Sequence, residues 1–362
     1  MMQYIKQCFN LVDKRGMFPE YLTLFVTNKC NSSCRHCFYW QSLNSSEKDL
    51  SCDEINKLSS NMDNFLFLLI TGGEPFLRDD IPEIVKIFYR KNCLKKLTIA
   101  TNGYFVENIE KGVEGILREC PGLELNVNIS LDGIGEDHDR IRGKDGMFAK
   151  AIAATKVIKQ LKMHYPDLLL SVIYTFSALN ENKAASDYQY IKKTIKPDYF
   201  NLSLVRGNTR EQGLRVGNIR EYNNLWSEIK KDILSKCFRQ SVLSRLLSAA
   251  KVTAKDLALK TLMQDRYITP CYAGKTNIVI YPNGDVYPCE LLEEGFGNLR
   301  KEGYDLRKIL FSANSRKIKE RIHKKRCYCY HGCNALPNVL YNVRYLPEIA
   351  INYCKQYFMS KN

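Results

Sequence analysis

The 362-residue chain has no stretch approaching the roughly 20 consecutive apolar residues of a membrane-spanning helix, which argues against a helical membrane protein. Its first residues, MMQYIKQCFNLVDKRGMF, have no apolar core of the kind a secretory signal carries, so the cytoplasm is the expected compartment. It has no internal repeat and no low-complexity tract. Aromatic and basic residues do not interleave regularly, so nucleic-acid binding is not expected. Acidic residues are in deficit: 39 Asp and Glu stand against 54 Lys and Arg, a net charge of +15. Such a balance suits an anionic substrate or peripheral contact with an anionic membrane surface, and equally plain solubility.

Cysteine, by contrast, is plentiful. Fourteen thiols in a chain without an export signal are expected to stay reduced, so their grouping matters more than their number. Cys30, Cys34 and Cys37 fall within eight residues, and five more lie between Cys271 and Cys333. Cys8, Cys52, Cys93, Cys120 and Cys237 stand singly and read as ordinary thiols. Grouping at two places points to metal or redox-cofactor sites.

Apolar β-rich runs at 21–26, 67–71, 97–101, 125–131, 168–176 and 199–204 alternate with helical patterns near 52–63, 81–91, 105–119, 147–163 and 181–195. That alternation predicts a parallel sheet of β/α units. Six units make a partial (β/α)6 TIM-like barrel over 21–220, because a full eight-unit barrel needs more chain. Residues 1–20 form an N-terminal extension and 221–266 a helical linker or cap. Residues 267–362 form a small cysteine-rich unit. It opens on a hairpin signal, TNIVIYPNGDVYPCE, and continues with a helix at about 305–323. Functional loops in such folds follow the strands, so motifs that carry chemistry should lie there.

Cys30-Asn-Ser-Ser-Cys34-Arg-His-Cys37 directly follows the first predicted strand. Three close thiolates can hold three irons of a four-iron cluster and leave the fourth open for an exogenous ligand, whereas electron-transfer clusters normally take four cysteines. Gly72-Gly73-Glu74-Pro75 follows the second strand, Thr101-Asn102-Gly103 the third, and Ser130-Leu131-Asp132-Gly133 ends the fourth. These motifs resemble the radical S-adenosylmethionine (SAM) superfamily over roughly residues 20–205. The resemblance implies a catalytic 4Fe–4S cluster on the three cysteines, with SAM on its open iron. It further implies that Gly72, Gly73, Glu74 and Pro75 hold the methionine amino group. Asn102, Ser130 and Asp132 would serve the ribose and carboxylate, and Arg142 the carboxylate. The family usually has an aromatic residue before the third cysteine. Here His36 takes that place, with Phe38 just beyond, and both are candidate SAM contacts. Taken without this context, the cysteine spacing alone also fits a zinc knuckle.

The second group, Cys271, Cys289, Cys327, Cys329 and Cys333, resembles the SPASM or shorter twitch extension of many radical SAM enzymes. That implies an auxiliary 4Fe–4S cluster, with Cys271, Cys289, Cys329 and Cys333 as first-choice ligands and Cys327 as a close rival to Cys329. Cys354 reads as an unliganded thiol. A zinc ribbon built on the same cysteines is the alternative.

The implied activity is reductive cleavage of SAM to a 5′-deoxyadenosyl radical, with a flavodoxin- or ferredoxin-type electron donor, followed by hydrogen abstraction from a small, anionic or peptide substrate. Only about 20 residues precede the first strand, too few for a leader-binding domain, so a small substrate is preferred over a peptide. Arg206, just after the sixth strand, is the candidate substrate residue. Residues 301–326 hold ten Lys or Arg against three acidic residues and could face an anionic substrate, anionic lipid or simply solvent. A non-catalytic zinc module is the reading from another class.

Overall fold

A computed structural model describes residues 18–236, 242–324 and 327–359. Most of the expected N-terminal extension, with Cys8, and also Cys237, lie outside the described residues. Six parallel strands form the barrel wall: β1 (Tyr21–Thr27), β2 (Phe67–Gly72), β3 (Lys96–Thr101), β4 (Glu124–Ser130), β5 (Leu168–Phe176) and β6 (Tyr199–Leu204). They lie within a residue or two of the runs read from the sequence, because short apolar runs bounded by polar turns have little other choice. Between them come α1 (Cys52–Ser60), α2 (Ile81–Lys91), α3 (Val106–Glu119), α4 (Glu136–Arg142), α5 (Met147–Lys162) and α6 (Ala184–Tyr190). Helix α1 starts on a capping box: the Ser51 hydroxyl accepts from the Glu54 N–H, and the Glu54 carboxylate accepts from the Ser51 N–H. The apolar stripes of α2 (Ile81, Ile84, Val85, Phe88) and α3 (Ile109, Val113, Ile116, Leu117) are buried against the outer face of the sheet.

Alternation along the strands sorts the two faces. Leu125, Val127 and Ile129 of β4 join the outer core, while Asn126, Asn128 and Ser130 face the other way, into the barrel. Asn126 there accepts from the Ser171 hydroxyl at 2.6 Å.

The chain leaves the barrel through α7 (Ile219–Lys236) and α8 (Val242–Gln264), over the stretch expected to form a helical linker or cap. Helix α8 lies along the open edge of β6. Lys251 Nζ sits 4.9 Å from the Tyr199 ring centre, and Lys255 Nζ donates to the Leu202 carbonyl. A lysine-bearing helix thereby covers an edge that would otherwise offer unpaired backbone groups.

The chain then returns to the other end of the sheet. Strand β7 (Asn277–Ile280) pairs in parallel with β1, and β8 (Asp285–Tyr287) and β9 (Gly297–Asn298) follow antiparallel, giving the order β6-β5-β4-β3-β2-β1-β7-β8-β9. The expected hairpin is present, with Gly284 in the left-handed region at φ +89°. The cysteine-rich unit is therefore built onto the barrel sheet and not merely tethered to it. The helix expected at 305–323 is broken into α9 (Leu306–Leu310) and α10 (Ala313–Lys324), and α11 (Gly332–Leu340) and α12 (Leu346–Met359) complete the chain. Ala249, Ala250 and Ala254 of α8 pack with Val339, Tyr345 and Ile349 in a second small core. No helix among the described residues is long and apolar enough to cross a membrane.

Candidate functional site

The segment between β1 and α1 is held from three sides. Cys30 N–H donates to Asn44 Oδ1 at 3.0 Å, and Asn44 Nδ2 returns a bond to the Cys30 carbonyl at 3.1 Å. Asp49 accepts from the Thr27 hydroxyl at 2.6 Å and from the Asn28 N–H at 3.1 Å. On the second side, the N–H groups of Ser33 and Arg35 donate to the carbonyls of Arg142 and Ile141 at the end of α4. On the third, Gly73 lies so close that a Cβ there would stand 2.0 Å from the Lys29 carbonyl oxygen and 3.1 Å from Cys30 Cβ. The loop is thus preformed, with Cys34 buried and Cys30 and Cys37 half-buried. Burial pushes the thiol of Cys30 up to about 12 and that of Cys37 up to about 11, so without a metal both stay protonated.

The glycine, asparagine and aspartate motifs all converge beside this loop. The Glu74 carboxylate is 1 % exposed and accepts from the Thr101 hydroxyl (2.6 Å), the Asn102 N–H (2.8 Å) and the Phe76 N–H (3.2 Å). Burial raises its pKa against those bonds. Pro75 is buried beside it, while Gly72 and Gly73 are half-buried. Asn102 donates to Asn31 at 2.8 Å and to the Ser32 hydroxyl at 3.3 Å, inside the cysteine loop.

Asp132 is fully enclosed. It pairs with Arg142 at 2.5 Å, accepts from the Thr175 N–H at 2.6 Å and lies 3.6 Å from His36 Nε2. Burial opposes its ionisation, but Arg142 and the two nearby histidines hold its pKa below the usual carboxylate range. Its carboxylate therefore anchors Arg142, whose Nη1 donates to Cys34 Sγ at 3.7 Å. Burial lowers His36 to about 4, with Asp132 opposing, so this ring is neutral at ordinary pH. Ser130 stands half-buried at the end of β4.

The second group comes together from three elements: Cys271 ahead of β7, Cys289 just after β8, and Cys327 and Cys329 between α10 and α11. A hydrogen bond with Cys327 and then burial raise the Cys271 thiol, and the same bond lowers Cys327 to about 7. Burial raises Cys289 to about 11, and the charges of Cys327 and Cys329 act on it. Cys327 thus sits within the group and is not displaced by Cys329. The side chain of Cys333 lies outside the described residues, and Cys354 is exposed on α12. Among the described residues no three Cys, His, Asp or Glu side chains close on one point.

Arg206 stands between the two groups. Its Nη2 pairs with the buried Glu290 carboxylate at 2.6 Å, and its guanidinium lies 4.6 Å from the Phe38 ring centre. Phe38 consequently faces the 205–217 loop. Sequence reasoning overlooked several residues here. Glu290 adjoins Cys289, a position that hinted at a role. His138, which carried no local signal, accepts the Asp132 N–H at 3.1 Å. Arg210, one of the arginines of the 205–220 loop, donates its N–H to the Cys37 carbonyl at 3.0 Å.

Several buried polar atoms near the first group have no hydrogen-bond partner: Asn31 Nδ2, His36 Nδ1, Trp40 Nε1, and the Nε atoms of Arg142 and Arg210. A cluster of buried donors left unsatisfied is what a polar cofactor would complete, and the thiols suit iron, so the residues present fit a cluster with SAM.

The radical SAM superfamily model matches residues 24–191, and an iron–sulfur cluster-binding domain model, SPASM, matches residues 271–334. The chain is 26 % identical over 336 residues to the antilisterial bacteriocin subtilosin biosynthesis protein AlbA of Bacillus subtilis, covering 87 % of this chain and 67 % of that protein. It is 23 % identical over 297 residues to an AdoMet-dependent heme synthase of Methanosarcina barkeri, covering 79 % and 81 %. A GTP 3′,8-cyclase of Lactiplantibacillus plantarum is 29 % identical over 229 residues, covering 56 % of this chain and 65 % of its own length. In structure the chain is similar to anSMEcpe with bound AdoMet (TM-score 0.61, 16 % identity, 95 % and 100 % covered) and to SuiB of Streptococcus suis with bound S-adenosylmethionine (0.60, 15 %, 88 % and 72 %). At those identities the likeness concerns the fold.

Proposed function

The chain belongs to the radical SAM superfamily and carries a SPASM iron–sulfur domain, and from that premise we propose that it modifies a peptide by hydrogen abstraction. It is a radical SAM enzyme, with a 4Fe–4S cluster, SAM and auxiliary iron–sulfur as cofactors. Bound there, the 4Fe–4S cluster on the three-cysteine loop would supply the electron for reductive cleavage of SAM, and with it the radical chemistry that abstracts a substrate hydrogen atom.

In this reading Cys30, Cys34 and Cys37 hold three irons. The observation that carries it is the loop itself: residues 28–51 offer three cysteines and no fourth, and backbone bonds hold the loop rigid before any metal arrives. Gly72 and Gly73 let the methionine end of SAM lie against bare backbone, while Glu74 and Asp132 brace from behind. Asn102 and Ser130 offer hydrogen bonds. Arg142, held by Asp132, brings its charge to the sulfur of Cys34. Neutral His36 stays in a buried wall without the desolvation cost of a charge. Cys271, Cys289, Cys327 and Cys329, with Cys333, form the auxiliary ligand pool, and an outside flavodoxin or ferredoxin supplies the electron.

A peptide substrate is supported by the high coverage of the match to the subtilosin biosynthesis protein and by SuiB, a relative in fold that has been crystallised with a precursor peptide. Two features of the site weaken the case for an anionic substrate. Arg206 already pairs with Glu290, and Arg35 with Glu211 at 2.9 Å. The barrel-facing residues of β4, Asn126, Asn128 and Ser130, are neutral hydrogen-bonding groups. A small carboxylated molecule is the second reading, favoured by the net charge of +15 and the heme synthase match.

Anaerobic reconstitution should give about eight irons per chain, and dithionite with SAM should give 5′-deoxyadenosine. Co-expression with short peptides encoded beside the gene, read by mass spectrometry, should show loss of hydrogen from one of them. Zinc in place of iron, or SAM left whole after reduction, would overturn the enzyme reading; peptides of unchanged mass would favour the small-molecule one.

A further inference from the structure

Where β1 gives way to the cysteine loop, the sheet ladder breaks. Phe25 pairs with Thr71 and Thr27 with Gly72, so Val26 between them is the extra residue of a bulge, without a partner on β2. The chain then runs alongside the glycine motif: the Gly73 N–H donates to the Thr27 carbonyl and the Glu74 N–H to the Lys29 carbonyl, both at 2.8 Å. At its far end the loop reaches α1 through Leu50, whose carbonyl lies ahead of the Ser51 cap. Val26 and Leu50 are both buried, and a buried carbonyl left unpaired is costly.

One side chain takes both carbonyls. Arg78 Nη1 donates to Val26 and to Leu50, each at 2.8 Å. The rest of the guanidinium is held by Asp80 in a two-point bond, Nε to Oδ1 at 2.7 Å and Nη2 to Oδ2 at 2.6 Å. Asp80 stands just before α2, where an aspartate ordinarily caps the helix; here its side chain makes no cap bond and goes to Arg78 instead. The same carboxylate accepts from the Cys52 thiol, at the start of α1, at 3.2 Å. The Arg78 side chain is only 13 % exposed, so water offers these groups little else. Asn44 and the end of α4 shape the loop from within, as described above, whereas Arg78 joins its two ends to each other. It does so from a position four residues after Glu74.

We propose that Arg78, braced by Asp80, is a positioning residue that fixes the three-cysteine loop against the 72–74 strip, so that an iron held by the first and the amino end of SAM held by the second meet in register. The inference rests on reading those two segments as the cluster and SAM sites. It gives a function to a buried arginine that touches no cysteine, and it makes the neck of the loop a determinant of SAM affinity.

The test is SAM binding to the full-length, anaerobically reconstituted chain by equilibrium dialysis, with the electron paramagnetic resonance signal of the reduced protein recorded before and after SAM is added. Arg78→Met should keep iron at the second site yet bind SAM about tenfold more weakly, since active sites respond steeply to small displacements. The change that SAM makes in the signal should shrink with it. Arg78→Lys keeps the charge but cannot reach two carbonyls and a carboxylate from one planar fork, and should fall between Arg78→Met and the parent. Asp80→Asn, which leaves the arginine in place with a weaker brace, should weaken SAM binding more mildly, and it decides the matter if Arg78→Met does not fold. Variants that melt earlier but keep parental SAM affinity and the parental change in signal would overturn the inference, because Arg78 would then serve the fold alone. Iron lost equally from both sites in Asp80→Asn would overturn it too. A parent whose reduced signal ignores SAM would overturn the reading of the first site and the inference with it.

Discussion

Gly73→Ala puts the preformed cysteine loop to its hardest trial. The added Cβ would stand 2.0 Å from the Lys29 carbonyl oxygen and 2.5 Å from its carbon, both backbone atoms that cannot rotate away. Contacts below 3.0 Å are essentially never made by real Cβ atoms, so the Lys29–Cys30 segment has to retreat by about 1 Å. Ligand positions in a metal site tolerate about 0.2 Å, and a 1 Å misplacement elsewhere in an active site costs on the order of a hundredfold in rate. Overpacking of this kind costs about 1–3 kcal/mol, little enough for the fold to survive. The expected variant is therefore folded, by circular dichroism and thermal melting, yet short of iron at the first site, with 5′-deoxyadenosine formation down on the order of a hundredfold. Gly115→Ala is the control. It lies inside α3, its added Cβ meets Pro82 Cγ no closer than 3.3 Å, and the exchange should leave iron and turnover unchanged. A Gly73→Ala protein with full iron and parental turnover would refute the idea that close backbone approach sets the cysteine loop.

Arg142→Met should destabilise the chain by about 3–5 kcal/mol in urea unfolding, because it leaves the fully buried Asp132 charge without its partner, and adding Asp132→Asn should recover part of the loss. Glu54 is held down to about 2 by its hydrogen bond to Arg300, which lies just after β9 and so ties the C-terminal strands to α1. Its folded pKa is below its ordinary value near 4.5, so the stability it adds is complete above about pH 4.5 and is lost as the pH falls toward 2. The Tm gap between the parent and Glu54→Gln should accordingly be widest near neutrality and close in acid; a gap independent of pH would contradict this. Cys327→Ser and Cys271→Ser should each lower auxiliary iron, whereas Cys354→Ser, altering an exposed thiol on α12, should leave the iron content of the reconstituted chain as it was.

Where the strands lie, and that each motif follows one, was decided locally. Runs such as LLLSVIYTF and LTIAT are short, apolar and bounded by polar turns, and a parallel sheet buried on its outer face is what such runs can form. The three-cysteine spacing is likewise a property of eight consecutive residues. Helix α4 escaped notice because EDHDRIR has almost no apolar stripe; its left-handed Gly143 end and the carbonyls it offers to Ser33 and Arg35 are visible only in three dimensions. The break between α9 and α10 likewise left no plain mark in the periodicity.

Other features depended wholly on tertiary structure. Sequence alone could name Glu74, Asp132 and Arg206 as charged residues near the mouth, but not their partners. The partners are Thr101 and Asn102 for the first, Arg142 for the second and Glu290 for the third, 84 positions away along the chain. The sheet running on from β1 into β7, which carries the second cysteine group to the side of the first, is of the same kind. Local propensity and spacing settle what a segment is, because neighbours in the chain share its backbone. Which buried charge is spent on another is settled only when distant segments lose their water together, and that happens in the folded chain alone.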